Sequence, residues 1–144
     1  DSASIKAGRL MLERIRELMN RIDSFAFETT LSTRSYVSLI RGAHEKGYEV
    51  TLLFLALDSV ELATERVNVR VKEGGHDIPI DTIKRRYKNG LKNLFQLYMP
   101  VVDRWVLVDN SSENFEFIGE GYKNRVIIRN EDKWTSLKKE YNEN

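Results

Sequence analysis

Cysteine is absent from the 144 residues, and proline occurs only twice. Without cysteine the chain has no disulfide, no zinc site built from thiolates and no thiol nucleophile. The two histidines, His44 and His76, are too few and too far apart in sequence to suggest a metal cluster. Long apolar runs are missing as well, since residues 50–57 form the longest and ~20 residues are needed to cross a bilayer. The sequence therefore indicates neither redox chemistry nor a membrane partner.

An excess of charge of one sign is also lacking. Lys and Arg number 23 against 22 Asp and Glu, a formal net charge of +1, which does not suit a domain held to nucleic acid through its phosphates. The composition, 41% hydrophobic and 31% charged, is typical of a folded protein, and the length predicts one domain over residues 1–144.

No secretory leader is visible, which predicts a cytoplasmic protein. Because the chain starts at Asp1 rather than Met, we expect a segment to be missing upstream.

Hydrophobic periodicity predicts alternating helices and strands. Apolar side chains recur every three or four positions over residues 5–22, which indicates an amphipathic helix. Residues 24–28 predict a short aromatic strand, and residues 48–57 predict a central strand buried on both faces. Further helices are predicted at 34–46, 59–72, 80–98 and 131–141, a strand at 105–108, and a hairpin of 115–118 with 125–128. This alternation predicts a three-layer α/β fold with a mostly parallel sheet, followed by a C-terminal hairpin and helix.

Ligands of open α/β sheets bind beyond the carboxyl ends of the strands, and three polar segments follow predicted strands here. In the first, Glu28 leaves a strand and is followed by Thr29, Thr30 and, further on, Arg34. Glu28 could accept a hydrogen bond from a substrate hydroxyl or hold Mg²⁺ through water. The alternative is that the hydroxyls only cap the next helix, which would leave Glu28 unexplained.

The second segment, residues 66–88, carries seven Lys or Arg against three Asp or Glu. Arg66 and Arg70 are four positions apart and share a helix face, while Arg85 and Arg86 approach from the next helix across a glycine-containing turn. This pattern predicts a hinged phosphate clamp. The alternative is a solvated pair of helices whose arginines are neutralised by neighbouring carboxylates.

The third segment follows the last long strand. Asn110 and Ser111 could contact the base or ribose of a nucleotide, but Asp109-Asn110-Ser111 is equally typical of a turn.

A histidine also lies in the second segment. His76 is either a catalytic base or a loop histidine bonded to its neighbours. Both interpretations stay open for each of these residues.

Several motifs occur together and in a fixed order. They are Phe25-Ala-Phe-Glu-Thr-Thr-Leu-Ser32, Gly47-Tyr-Glu-Val50, Phe54-Leu-Ala-Leu-Asp-Ser59, Glu61-Leu-Ala63, Arg66-Val-x-x-Arg-Val71, Gly74-Gly-His-x-Ile-Pro79 and Ile83-x-Arg-Arg-Tyr87. With them the chain resembles the zeta-toxin-like branch of P-loop kinases, sometimes described as ABC-type ATPases, from about Ile5 to Ser111. The resemblance implies a P-loop kinase fold, ATP and Mg²⁺ as cofactors, and transfer of phosphate to a hydroxyl of a small molecule such as a nucleotide sugar.

The resemblance also implies roles for single residues. Arg70 corresponds to the family's phosphate-binding arginine, and Arg66, Arg85 and Arg86 correspond to a basic lid over about residues 66–88, with His76 as a further lid candidate. Glu28 and Thr30 correspond to substrate-side residues. Where the toxins have Glu-Gly-Thr-Leu-Arg, however, this chain has Glu-Thr-Thr-Leu-Ser and no arginine before Arg34. The departure leaves open whether the acceptor is UDP-N-acetylglucosamine or a different small molecule.

The family's Gly-x-x-x-x-Gly-Lys-Ser/Thr loop and its catalytic aspartate have no counterpart in this sequence. Both precede the position of Ile5 in the family, so the resemblance predicts an N-terminally truncated kinase that is inactive alone. Loss of the P-loop strand would leave strands 24–28 and 50–57 without a ladder partner, so we expect them to pair directly or a second chain to complete the sheet. The partner would then be that chain or an antitoxin.

Two other functions compete with the truncated kinase. One is a non-catalytic interaction module that binds a partner through the basic helices or a sheet edge, and the other is an ATPase.

Overall fold

The computed structural model describes residues 2–143. Its elements in chain order are α1 (Ser2–Asn20), α2 (Tyr36–Glu45), β1 (Thr51–Ala56), α3 (Val60–Lys72), α4 (Ile80–Asn93), β2 (Arg104–Asp109), β3 (Glu116–Tyr122), β4 (Arg125–Ile128) and α5 (Glu131–Glu143). A π-helical turn over Leu94–Tyr98 extends α4. All five predicted helices form, with their ends shifted by a few residues. None of the helices within residues 2–143 is both long and apolar enough to cross a membrane.

The sheet is mixed, with the strand order β1-β2-β3-β4. Strands β1 and β2 are parallel, whereas the pairs β2 with β3 and β3 with β4 are antiparallel. The predicted hairpin is thus confirmed, but the prediction of a mostly parallel sheet is wrong. The cause is the length of the connections: residues 110–115 join β2 to β3 and residues 123–124 join β3 to β4, and both are too short for the crossover that parallel neighbours need.

The strand predicted at residues 24–28 does not form. Among the described residues this segment has no ladder pairing, and its rings serve packing instead: Phe25 lies 5.9 Å from the Tyr48 ring and Phe27 5.2 Å from the Tyr36 ring. The expectation that this segment pairs directly with the next strand is therefore wrong. Strand β1 lies at one edge of the sheet, and its outer side has no ladder partner within residues 2–143.

The helices pack on one face of this sheet. Leu52, Phe54, Trp105 and Leu107 point to that face and contact a core built from side chains of α2, α4 and α5. The core residues from these helices are Tyr36, Ile40, Leu91 and Leu137, with Leu94 and Tyr98 from the π-helical turn. The described residues therefore form two layers where three were predicted.

The opposite face of the sheet is uncovered, and it carries an apolar patch beside the charged side chains Arg104, Glu120 and Arg125. Leu53 and Leu55 of β1 are 58% and 47% exposed, Phe117 of β3 is 57% exposed, and Ile127 of β4 is 50% exposed. The strand register places these four side chains on one side, and we refer to them as the bare face. β1 was predicted to be covered on both sides because its sequence does not alternate, and here only one side is covered.

Candidate anion-binding site

Helices α3 and α4 are bonded to the carboxyl ends of the parallel strands. The Tyr87 hydroxyl donates to the Leu57 carbonyl at 3.0 Å, and the Arg66 guanidinium donates to the Asn110 carbonyl. The backbone N–H of Asp58 donates to the Ser111 hydroxyl at 2.8 Å, which ties the two strand ends together. The basic helix pair is therefore located where ligands of such sheets bind.

Helix α3 starts directly at this edge. The Ser59 hydroxyl accepts a hydrogen bond from the Leu62 N–H at 3.2 Å and caps the helix. The cap fixes the helix origin beside Leu57, so that Arg66, about two turns along, reaches across to β2. Arg66 is half-buried as a result.

The other three predicted phosphate ligands are available for an anion. Arg70 and Arg85 are exposed and Arg86 is half-buried. None of the three makes a side-chain hydrogen bond or ion pair with any residue in the range 2–143. Neighbouring carboxylates do not pair with these three arginines within residues 2–143, and unpaired arginines at the surface fit both the phosphate clamp and the solvated pair of helices.

A tight glycine turn connects the two basic helices. Gly74 has φ of +96°, and the Gly75 N–H donates to the Arg70 carbonyl at 2.7 Å. A Cβ on Gly75 would lie 2.8 Å from that carbonyl oxygen, so a side chain would push the turn open. His76 follows, exposed and without a side-chain hydrogen bond in the described part of the chain, so neither of its two interpretations is decided.

The hydroxyls of residues 29–33 bond within this loop, and the last of them bonds to the backbone just before α2, where the Thr33 Oγ1 accepts from the Ser35 N–H at 3.2 Å. The Thr29 Oγ1 accepts from the Leu31 N–H at 3.1 Å, and the Thr30 and Ser32 hydroxyls are 2.9 Å apart. The residue before α2, Ser35, makes no side-chain cap. Capping of the next helix therefore accounts for Thr33 but not for Thr29 or Thr30. Glu28 and Arg34 are exposed and have no ion pair within residues 2–143.

Helix α4 holds this loop in place. The Asn93 side-chain amide donates to the Leu31 carbonyl at 2.9 Å, and Leu31 is buried with φ of +60°, a conformation that side-chain-bearing residues seldom adopt. Gly90 lets the loop approach closely, because a Cβ there would overlap the Thr30 carbonyl oxygen. Arg86 and Gly90 are four apart on α4, so Thr30 packs about one turn, ~6 Å along the helix axis, from Arg86. The structure thus brings the first two predicted segments to one helix face.

A buried ion pair lies at the same edge, and the sequence did not predict it. Asp109 is 5% exposed, and its carboxylate accepts hydrogen bonds from the Ser111 N–H at 2.8 Å and from Lys133 of α5. Burial raises the pKa of Asp109, but the bonds from Lys133 and Ser111 outweigh it and hold that pKa below its usual value. Lys133 also pairs with Glu116 at 3.2 Å. The third segment therefore forms a turn in this structure, and the cation beside it comes from a distant helix.

The residues present suit an anion better than a metal ion. No group of three or more His, Asp or Glu side chains that could hold a metal occurs within residues 2–143. Mg²⁺ favours phosphate oxygens with one or two carboxylates, and Glu28 is the carboxylate nearest in sequence to the hydroxyl loop. Mg²⁺ would therefore come with a nucleotide, held by its phosphates and by Glu28 through water.

These elements define an α/β fold with a mixed four-stranded sheet, a basic helix pair at the carboxyl ends of its parallel strands and a hydroxyl-rich loop packed on α4. The chain belongs to the zeta toxin family, whose model matches residues 2–126. Members of this family are nucleotide-binding kinases of the P-loop class. The recognition made from the sequence is thereby confirmed at the level of the family.

The chain is also similar to an uncharacterized protein of Haemophilus influenzae, with 35% identity over 85 residues. The alignment covers 59% of this chain and 61% of that protein, so the activity of a whole relative cannot be transferred directly. No solved structure matches the chain.

Proposed function

We propose that this chain carries the lid, about residues 66–88, and the acceptor loop, residues 28–34, of an ATP-dependent phosphotransferase that acts on a hydroxyl of a small molecule. The observation that supports the proposal is the position of Gly90, which packs Thr30 of the acceptor loop one helical turn from Arg86 of the lid. Family membership supplies the reaction class. Because the loop lacks the arginine that follows it in the toxins, the acceptor in this proposal is a small molecule with a hydroxyl and is not limited to UDP-N-acetylglucosamine.

In this proposal the arginines neutralise charge on the phosphoryl group. Arg66 is positioned by the Asn110 carbonyl, and Arg70, Arg85 and Arg86 close onto the phosphates as the Gly74–Gly75 turn bends. A guanidinium offers a planar set of N–H donors that matches phosphate oxygens, so four of them can spread over a triphosphate. His76 lies in the segment that connects α3 to α4, so it moves with the lid.

On the acceptor side, Glu28 and Thr30 orient the hydroxyl that receives the phosphoryl group. Thr29 shapes the loop through its bond to Leu31, and Arg34 attracts an anionic part of the acceptor. Asn110 and Ser111 border the ribose or base. ATP with Mg²⁺ supplies the phosphoryl group when bound, and the phosphate cradle absent from this sequence has to come from another segment or a second chain, so we expect no transfer by residues 1–144 alone.

The lid role is tested by reversing one charge. Arg70→Glu should weaken binding of inorganic tripolyphosphate roughly tenfold or more, since a charge-assisted hydrogen bond contributes ~1.5–3 kcal/mol and repulsion is added. Isothermal titration calorimetry of the full chain measures this. Lys46→Glu is the matched control, because Lys46 is an exposed cation after α2, outside the lid, and the net charge changes equally.

If the two variants lose the same affinity, the loss reflects net charge alone and the lid assignment is wrong. Tight binding that survives Arg70→Glu would equally remove Arg70 from the site.

A second candidate function is a protein-interaction module, favoured by the open edge of β1 and the bare face. Leu53 and Leu55 belong to both, so one partner segment that adds a strand and covers the face would bury them together. The partner would be a second chain that completes the sheet, such as an antitoxin.

Without such a partner, we expect two or more copies of the chain to associate so that each covers the bare face of another. Sedimentation velocity at rising protein concentration should show association for the wild type and a monomer for Leu53→Lys with Leu55→Lys. Ile5→Lys, at an equally exposed position of α1, should associate like the wild type. A wild type that stays monomeric throughout would contradict this expectation.

A further inference from the structure

The end of α4 and the π-helical turn after it hold the acceptor loop by its backbone carbonyls. The Asn93 side-chain amide donates to the Leu31 carbonyl at 2.9 Å, and the Tyr98 hydroxyl donates to the Thr33 carbonyl. Asn93 is 8% exposed and Tyr98 is 1% exposed, so both donors are shielded from water, and hydrogen bonds in such surroundings are stronger than in water. The loop is therefore fixed to this helix by directed polar contacts as well as by packing.

The π-helical turn explains how both side chains reach the same loop. Asn93 and Tyr98 are five residues apart, and a separation of five residues in an α-helix turns two side chains about 140° away from each other. The turn has bonds between residues five apart, as from the Met99 N–H to the Leu94 carbonyl at 2.9 Å, and this wider winding brings such residues closer to one side. Single π-helical turns of this kind are frequent at functional sites.

Leu31 is the most constrained residue of the acceptor loop. Its N–H donates to the Thr29 Oγ1, its carbonyl accepts from Asn93, and its side chain is buried with φ of +60°. A residue with a Cβ keeps this conformation only where its surroundings enforce it. On either side of Leu31, the hydroxyls of Thr30 and Ser32 lie 2.9 Å apart. Asn93 therefore helps to set the position of a pair of hydroxyls in the proposed acceptor loop.

The helix that ends at Asn93 also carries two of the lid arginines, Arg85 and Arg86. Arg86 and Asn93 are seven residues apart, which corresponds to about two turns or ~10 Å along the helix axis. A continuous helix moves as one piece. A displacement of Arg86 therefore moves Asn93, and with it the Leu31 carbonyl to which Asn93 is bonded.

We infer that Asn93 is a positioning residue that couples the acceptor loop to the lid. An anion bound by the arginines shifts α4, and Asn93 transmits this shift to the loop through Leu31. The inference rests on the proposed function, which assigns the anion to the lid and the acceptor to the loop. Asn93 contacts neither ligand in this arrangement. Because coupling is reciprocal, an acceptor bound at the loop would change the affinity of the lid for the anion by the same factor.

NMR signals of the full chain test the coupling during titration with inorganic tripolyphosphate. The backbone amide of Leu31 and the side-chain amide of Asn93 should shift with the same dissociation constant as the Nε–Hε signal of Arg86. The side-chain amide of Asn124 is the internal control and should not shift. It lies in the turn between β3 and β4, at the opposite end of the sheet from the lid.

A variant pair makes the test specific to Asn93. Asn93→Leu removes the amide donor with little change in volume, so most of the tripolyphosphate-induced shift of Leu31 should be lost. The dissociation constant at Arg86 should stay within about twofold of the wild type, because Asn93 does not contact the anion. Gln96→Leu removes an amide three residues further along, whose bond runs to the Tyr141 hydroxyl, and this variant should behave like the wild type.

Two results overturn the inference and leave the proposed function intact. One is tripolyphosphate binding that leaves the Leu31 and Asn93 signals of the wild type unchanged, a result that does not depend on the folding of any variant. The other is a Leu31 shift that persists in Asn93→Leu or is lost equally in Gln96→Leu, because the coupling then does not run through Asn93. If tripolyphosphate does not bind at the arginines at all, the proposed function is wrong and the inference fails with it.

Discussion

Replacing Lys133 by Met should destabilise the fold by roughly 2–3 kcal/mol, because the change leaves the Asp109 carboxylate buried without its cation. The Asp109 side chain is 6% exposed, and removing one partner of a buried pair costs ~3–5 kcal/mol. Lys133 is itself 34% exposed, so water screens part of the interaction and lowers the figure. The methylene stem of Met keeps the packing of the side chain. Urea unfolding of the two proteins measures the difference.

The pH dependence of this difference identifies Asp109 as its origin. The pKa of Asp109 in the folded state lies below its usual value of 3.8. Its contribution to stability is therefore complete above that usual value and is lost as the pH falls through the lower, folded-state pKa. The difference in the free energy of unfolding between wild type and Lys133→Met should be largest near neutral pH and become smaller in acid. Lys139→Met, on the exposed side of α5, should change stability by less than ~0.5 kcal/mol. A gap that does not depend on pH would show that lost packing, and not the ion pair, explains the effect.

Gly90→Ala should destabilise the protein by ~1–2 kcal/mol, against the usual preference for Ala in helices. A Cβ at this position overlaps the Thr30 carbonyl oxygen, and overpacking against backbone costs ~1–3 kcal/mol. The better helix propensity of Ala offsets up to ~1 kcal/mol of this cost. Hydrogen exchange of residues 29–33 should also become faster, because the loop has to move away from α4. Thermal unfolding and exchange measurements together test both effects.

Gly8→Ala is the matched control for this substitution. Gly8 lies within α1, and a Cβ there meets no atom within 4 Å, so the variant should gain ~0.5–1 kcal/mol. If Gly90→Ala is as stabilising as Gly8→Ala, the acceptor loop is not held against α4 and the geometry of the proposed site fails.

The helices were predictable from the sequence because their signals are local. The 3.6-residue spacing of apolar side chains and the Gly74–Gly75 break indicate α1, α3 and α4 without reference to the rest of the chain. The hairpin was predictable for the same reason. The family could be recognised because its motifs also lie within short segments.

The errors concern interactions between distant segments. Residues 24–28 have the aromatic composition of a strand, but Phe25 and Phe27 pack against rings of residues 36–48, and no strand lies alongside to pair with. β1 has the composition of a central strand, yet within residues 2–143 it stands at an edge. Composition reports how much apolar surface a strand offers for burial, but it cannot report which segment is present to cover that surface.

In the candidate site, too, the local patterns were predictable from the sequence, whereas the contacts between distant segments were not. The arginines and hydroxyls could be found by their spacing, since Arg66 with Arg70 and the Glu28 to Thr30 run are local patterns. The role of Lys133 could not be predicted, because only folding brings α5 to the end of β2. No pattern near residue 133 indicates that its partner is Asp109, which lies 24 positions away. The close packing of Thr30 on Gly90 is equally invisible in the sequence.

The central claim is that the four arginines of the basic helix pair bind the phosphates of one ligand. The most direct measurement follows the arginine side-chain Nε–Hε signals of the full chain during titration with tripolyphosphate. The claim predicts that the signals of Arg66, Arg70, Arg85 and Arg86 shift together with one dissociation constant, while those of Arg14 and Arg21, which are already paired with Glu17 and Asp23, stay unchanged. Shifts that are spread evenly over all arginines, or confined to residues outside the lid, would contradict it.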